Sequence, residues 1–154
     1  MWALLMANLK TFENLYWSFR KFLYTSFPLV PAYYNPLMRP ATTATKFMVV
    51  RFQDDSFGKL AFSYPRVFCV AKMDPEEILV GELVSSVVEK FTSPGNVLKT
   101  IPLINHATGA AIGFAWVQDV RARMSLPFSE GYVHRAVDMT LRYTVEERHL
   151  HSGG

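Results

Sequence analysis

The chain has 154 residues, of which 50% are hydrophobic, 14% aromatic and 19% charged, and its formal net charge is +3. This composition excludes intrinsic disorder over most of the chain, since there are enough apolar side chains to bury a core. A single cysteine, Cys69, excludes an internal disulfide and a cysteine-based zinc site. The charge is uneven, because residues 1–52 carry +5 and the remainder carries −2. A basic N-terminal segment suits an anionic surface, either lipid headgroups or nucleic-acid phosphates.

The first 26 residues predict an amphipathic helix with a wide apolar face. Apolar side chains recur along it at three- and four-residue steps: Leu5, Leu9, Phe12, Tyr16, Phe19 and Leu23. Such an aromatic helix is expected to be covered by protein or to lie at a membrane interface. Charged side chains interrupt it, so it does not have the pattern of a clear transmembrane span. Its basic, acid-poor composition also fits a mitochondrial targeting segment.

Residues 28–45 predict an extended, proline-rich linker. Pro28, Pro31 and Pro36 interrupt an uncharged run that could otherwise continue the helix. A linker of this length is long for a loop inside a compact domain, so residues 1–45 are interpreted as an arm that crosses the surface of a partner. Partner-binding residues are predicted to be Trp2, Phe12, Tyr16, Trp17, Phe19, Phe22, Tyr33 and Tyr34. Contacts with an anionic surface are predicted for Lys10, Arg20, Lys21 and Arg39.

The segment 46–72 predicts a short β-hairpin. β-Branched and aromatic side chains dominate two runs, 46–53 and 59–72, and the turn-forming residues between them suit a hairpin loop. A helical domain is predicted to follow at 73–148, with a tail at 149–154. Three helices are expected at about 76–91, 107–121 and 133–147, from apolar residues at helical spacing, and a short helical turn through 129–131 is expected before the last one. The predicted fold class is therefore mainly α (α+β), with an N-terminal amphipathic helix and arm, a hairpin and a small four-helix bundle.

Residues of about 76–145 resemble an acyl carrier protein. Segment 76–91 looks like the first helix of that family, 117–120 with 125–127 looks like the end of its second helix, and 137–143 looks like its last helix. The resemblance implies a serine that bears phosphopantetheine at the start of the second helix. Ala107 stands at that position and has no hydroxyl to form the phosphodiester. The resemblance thus implies a degenerate carrier domain that is kept as a scaffold.

Nothing in the sequence predicts catalysis, a cofactor or a metal. His106 and His134 stand alone, and His149 and His151 lie in the predicted tail. The glycines at 109 and 113 form a small-xxx-small pattern, which permits close helix packing and is not a phosphate-binding loop. The protein is therefore predicted not to be an enzyme.

These features favour a non-catalytic structural accessory subunit of a large mitochondrial membrane complex, of the respiratory-chain or ATP-synthase type. It would act by scaffolding and assembly, at the inner membrane, with other subunits as partners and possible lipid contact through residues 1–34. An alternative is an RNA-associated organellar ribosomal subunit, which Lys10, Arg20 and Lys21 with neighbouring aromatic residues would favour. A further alternative is a protein that carries or handles lipids or acyl groups.

Overall fold

The computed structural model describes residues 2–38, 40–53, 60–95, 97–129 and 131–144. The described helices are α1 (Trp2–Ser26) and α2 (Ile78–Phe91), and the strands are β1 (Ala32–Tyr34), β2 (Lys46–Phe52), β3 (Leu60–Ser63), β4 (Pro65–Lys72), β5 (Lys99–Ile104), β6 (Ala111–Ala122), β7 (Leu126–Ser129) and β8 (Tyr132–Thr144). A 3₁₀ turn at Pro75–Glu77 leads into α2. Within these ranges, no helix combines the length and the apolar character that crossing a bilayer requires.

All eight strands belong to one curled, half-barrel sheet. Its main path runs β1-β2-β4-β8-β6-β5, and β3 and β7 each pair with β8 beside that path. The pair β1 and β2 is parallel, whereas the other pairs are antiparallel. β8 is thus the strand on which most of the sheet is built.

The helices cover one face of the sheet, which we call the inner face. From α2, Leu83, Val87 and Phe91 are buried against inner-face side chains of the sheet. From α1, Leu15, Phe19 and Leu23 enter the same core. The rings of Phe19 and Phe91 stack with their centroids 5.5 Å apart and join the two helices. The helical spacing predicted for the first 26 residues therefore describes a helix of the core.

Two buried polar side chains of α1 bind backbone groups of the edge strand β5 and of the turn that follows it. The Ser18 hydroxyl accepts a hydrogen bond from the backbone N–H of Ile104 at 2.9 Å. The Asn14 side-chain oxygen accepts one from the backbone N–H of His106, also at 2.9 Å. Because an unpaired edge is a template for strand addition, α1 protects the sheet at this edge.

A smaller apolar cluster lies on the outer face of the sheet. Its buried members are Phe47, Val49, Val70 and Tyr132, and Tyr33, Phe68 and Phe128 pack against it. The Tyr132 hydroxyl donates a hydrogen bond to the carbonyl oxygen of Ala44, so the segment before β2 is tied to this end of the face. Elsewhere the described part of the outer face carries charged residues, such as Arg66 and Asp138, and the aromatic residues Phe62 and Trp116.

We expect the protein to lose stability as the pH falls through the ordinary titration range of histidine. His134 lies between the rings of Phe68 and Phe128, and its burial lowers its pKa below the usual 6.5. The unfolded chain therefore binds this proton more readily than the folded one, so protonation below about pH 6.5 favours unfolding. Urea titrations at pH 5–8 should show a smaller pH dependence for His134→Phe than for the natural sequence. Equal pH dependence in the two proteins would contradict this assignment.

The predicted carrier-like bundle is wrong. Segment 107–121 forms a turn and most of β6, and segment 133–144 forms β8, where helices had been predicted. Val133, Val137 and Leu141 are four residues apart, and this spacing places side chains on one face of a helix and also on one face of a strand. Met139 is buried beside them, which fits the two-residue period of a strand and not a helical stripe.

The predicted fold class is wrong as well, because the molecule is α+β and mainly β. The predicted helix at 76–91 corresponds to the 3₁₀ turn and α2. The strands predicted at 46–53 and 59–72 correspond to β2 and to β3 with β4. However, β4 pairs with β8, so segments 46–72 and 73–148 share a single sheet. The predicted tail, 149–154, lies outside the described residues.

Candidate partner-binding groove

A groove of about 550 Å³ lies between the second half of α1 and the edge strand β1. It is lined by Trp17, Arg20, Lys21, Leu23, Tyr24, Phe27, Pro28, Leu29, Val30, Pro31, Ala32, Tyr33, Tyr34 and Met48. These residues are mostly apolar or aromatic, and the charged ones are the cations Arg20 and Lys21. The groove therefore combines apolar surface with positive charge, and its described lining contains no carboxylate.

The row of buried residues on α1 determines which of its side chains face the groove. Leu15, Phe19 and Leu23 are spaced by four residues and point into the core. The intervening Trp17, Arg20 and Lys21 are therefore left at the wall of the groove. The helix ends at Ser26 just before Pro28, and the chain then turns back to form β1.

The other wall of the groove is β1, a half-buried strand at the edge of the sheet. The carbonyl oxygen of Pro31 accepts a hydrogen bond from the Met48 N–H, and the Asn35 N–H donates to the Val50 carbonyl oxygen. Residues alternate along a strand, so the backbone groups of Ala32 and Tyr34 point to the other side of β1. No strand of the described sheet pairs with that side. Those groups are available to hydrogen-bond an added strand.

The Arg20 guanidinium is held by aromatic rings. Its central carbon lies 4.3 Å from the centroid of the Tyr34 ring, 4.7 Å from that of Trp17 and 5.6 Å from that of Tyr16. One of its nitrogens donates a hydrogen bond of 3.2 Å to the Tyr16 hydroxyl. Burial raises the pKa of Tyr34 to about 12, although the charge of Arg20 acts in the opposite direction. Tyr34 is thus neutral at physiological pH, and its ring makes a cation–π contact with the guanidinium of Arg20.

Trp17 contacts both Arg20 and the turn between β5 and β6. Its ring stacks on the ring of His106, with centroids 4.4 Å apart and an angle of 5° between the planes. The side chain of Asn105 shapes the turn by accepting hydrogen bonds from the N–H groups of Ala107 and Thr108. Ala107 is exposed in this turn. The expectation that Ala107 begins a carrier helix is therefore wrong, and its lack of a hydroxyl has no bearing on a carrier function.

The structure brings together some of the residues that the sequence predicts as contacts. Lining the groove are Trp17, Arg20, Lys21, Tyr33 and Tyr34. Phe19 is fully buried, and Phe22 packs on Phe91, so these two stabilise the core. Tyr16 packs against Tyr34 and Phe52. The side chains of Trp2, Lys10 and Phe12 lie outside the described part of the structure, as does Arg39.

Sequence reasoning missed the edge strand that forms one wall of the groove. β1 has only three residues, and Pro31 and Pro36 on either side are typical of a linker. The alternation of Ala32, Tyr33 and Tyr34 is too short to reveal a strand without its partner β2. Leu29, which is 93% exposed, gave no signal in the sequence.

Comparisons with known proteins support the fold and leave the function open. No protein-family model matches the chain, and no curated protein matches it. One solved structure, whose name states no function, is similar over 86% of this chain and 94% of that chain, with a TM-score of 0.55. The two sequences are 14% identical, so this likeness concerns the fold alone. The chain is thus similar to a solved chain of the same architecture, and the match contains no four-helix carrier fold.

Proposed function

We propose that the protein is a non-catalytic structural subunit that binds an extended, acidic segment of a partner protein in the groove between α1 and β1. The observation on which this rests is that β1 is an edge strand, with no strand of the described sheet on its second side, beside Arg20 and Lys21. An extended peptide can add to such an edge through its main chain, and pockets for its side chains then provide selectivity. The mitochondrial setting expected from the sequence stays a prediction.

Three kinds of contact would hold the partner segment. The backbone groups of Ala32 and Tyr34 would form a short ladder with it. Tyr24, which is 71% exposed, and Leu29 would contact its apolar side chains. Arg20 and Lys21 would attract its carboxylates, and this attraction increases the association rate and selects against basic segments.

The short length of β1 limits what can bind there. Pro31 and Pro36 flank the strand, and proline cannot donate a hydrogen bond to a ladder. Short edge strands and flanking prolines are devices that restrict uncontrolled strand addition. The edge therefore suits one short segment of a specific partner.

The chemistry of Cys69 agrees with a binding role. Its thiol is buried in the core under the helices. Burial raises the pKa of Cys69 to about 12, even though the charge of Arg135 acts against the shift. The thiol is therefore protonated at neutral pH and has little nucleophilic character.

We expect Lys21→Glu to weaken binding to an acidic peptide about tenfold, because it replaces an attraction by a repulsion at the groove. The probe is a labelled ten-residue peptide in which aspartate alternates with valine, titrated into the full chain with fluorescence anisotropy as the readout. Lys90→Glu is the matched control, since Lys90 is exposed in the last turn of α2 and is not one of the residues that line the groove. Equal affinities for the two variants would contradict the proposal.

We expect Ala32→Pro to weaken the same peptide about two- to tenfold, because the loss of one net hydrogen bond costs about 0.5–1.5 kcal/mol. The fold should be kept, since the Ala32 N–H is not used by β2. In spectra of the ¹⁵N-labelled natural chain, the amides of Ala32 and Tyr34 should shift on addition of the peptide. Shifts confined to other regions would place binding elsewhere and refute strand addition at β1.

A further inference from the structure

The exposed part of the outer sheet face concentrates arginines from four strands. Arg51 of β2 is the registered neighbour of Arg66 on β4, Arg66 is the neighbour of Asp138 on β8, and Asp138 is the neighbour of Arg121 on β6. We call the set Arg51, Arg66, Arg121, Arg123 and Arg142 the arginine face. Among the residues that the structure describes, Asp119 and Asp138 are the carboxylates beside them, so this described part of the surface has a positive excess.

A β-bulge in β6 creates part of this surface. The register between β6 and β8 shifts between Val117 and Asp119, at Gln118. Val117 is buried in the core on the inner face, and strict alternation would place Asp119 and Arg121 on that face too. The extra residue reverses the alternation, so these two become neighbours of Thr140 and Asp138 on the outer face. Bulges of this kind commonly re-aim side chains at functional surfaces.

Asp138 orients two of the arginines. Its carboxylate accepts a hydrogen bond of 3.0 Å from a terminal nitrogen of Arg66 and one of 2.7 Å from Nε of Arg123. Burial alone would raise the pKa of Asp138, but these hydrogen bonds outweigh it and hold that pKa below its ordinary range. A guanidinium has five N–H donors, so both arginines keep donors for a ligand. They border a depression of about 440 Å³ that Arg121, Gln53 and Tyr64 also line.

Aromatic rings lie beside the arginines on the same face. Phe62 of β3, Arg142 of β8 and Trp116 of β6 form one cross-strand row. The guanidinium of Arg142 lies 5.2 Å from the centroid of the Trp116 ring. Phe114 stands two residues before Trp116, on the same side of β6, and is 52% exposed. The surface thus offers planar apolar groups within reach of fixed cations.

We propose that the arginine face binds single-stranded RNA. Arg66, Arg121 and Arg123 would hold backbone phosphates, for which the guanidinium geometry is well suited. Bases would stack on Phe114 and Trp116, as bases stack on aromatic residues of other RNA-binding sheets. In a duplex the faces of the bases are stacked inside and cannot pack on a side-chain ring, so the rings of Phe114 and Trp116 favour a single strand. None of the five arginines of this face lines the groove at β1.

The probe is a fluorescein-labelled oligouridine RNA of twelve nucleotides, titrated into the full chain at 50 and 200 mM NaCl. With phosphate contacts from three arginines, the logarithm of the association constant should fall with the logarithm of the salt concentration with a slope of about −2. Absence of binding at 50 mM NaCl, or binding that does not respond to salt, would overturn the proposal.

Two substitutions separate the phosphate and stacking contributions. Arg121→Ala should weaken binding about tenfold and make the salt slope less steep by about 0.7. Phe114→Ala should also weaken binding about tenfold, with the salt slope unchanged, because stacking releases no counterions. Both side chains are exposed, so circular dichroism and urea titration should show an intact fold. Lys90→Ala, which removes one charge from α2, should bind the RNA with the affinity of the natural chain. A loss of affinity in this control equal to that of Arg121→Ala would refute a localised site.

Competition distinguishes this ligand from other polyanions. Unlabelled oligouridine should displace the probe at lower concentration than an RNA duplex of equal length or a polyglutamate of equal charge. Equal displacement by polyglutamate would instead identify the arginine face as a surface for an acidic protein. Equal displacement by the duplex would remove the role of stacking on Phe114 and Trp116.

Discussion

We expect Phe19→Ala to lower the free energy of unfolding by about 3–5 kcal/mol. Phe19 is a residue of α1 and is fully buried. Its ring stacks on that of Phe91 in α2 and meets the ring of Phe52 in β2 edge-on. Removing it leaves a cavity at the junction of both helices and also deletes the aromatic contacts. Equilibrium urea unfolding of the full chain measures the change.

The control for this prediction is Tyr24→Ala in the same helix. Tyr24 is exposed, so its removal should change the stability by no more than about 0.5 kcal/mol. The comparison decides between two interpretations of the N-terminal segment. If α1 were an arm that orders only on a partner, the two substitutions would have similarly small effects on the isolated protein.

We expect Met139→Ala to lower the free energy of unfolding by about 2–5 kcal/mol, because Met139 is buried in the core on the inner face of β8. The helix predicted at 133–147 would leave Met139 off its inward stripe, so the substitution separates a strand from a helix. Met124→Ala is the matched control, since Met124 is 76% exposed. Equal midpoints of urea unfolding for the two variants would argue against the sheet.

The secondary structure could be predicted where the apolar residues fit either the spacing of a helix or the two-residue alternation of a strand, and not both. The first 26 residues and segment 76–91 have continuous helical spacing, and both contain helices. The strands of 46–72 are rich in β-branched and aromatic residues and were predicted near their observed positions. β6 and β8 were mistaken for helices because four-residue spacing fits either element, and deciding between them requires the partner strands.

The candidate surfaces were predictable only in part. The groove uses Trp17, Arg20 and Lys21, which already stand out in the sequence as aromatic and basic residues of one helix. The arginine face could not be predicted, since Arg66 and Asp138 are separated by 72 positions and meet only through the pairing of β4 with β8. The bulge at Gln118 adds a second obstacle, because it breaks the alternation from which a face is usually inferred.

The hydrogen bonds from α1 to β5 and to the turn after it determine when α1 can dock on the sheet during synthesis. Ser18 and Asn14 bind backbone groups that lie 86 and 92 positions later in the chain. Such non-local contacts form slowly, since a long loop must close before they contribute. A ribosome adds roughly 5–20 residues per second, so the aromatic helix stays uncovered for several seconds while the sheet is being made. We therefore expect the nascent chain to be more prone to aggregation, and more dependent on chaperones, than the finished fold.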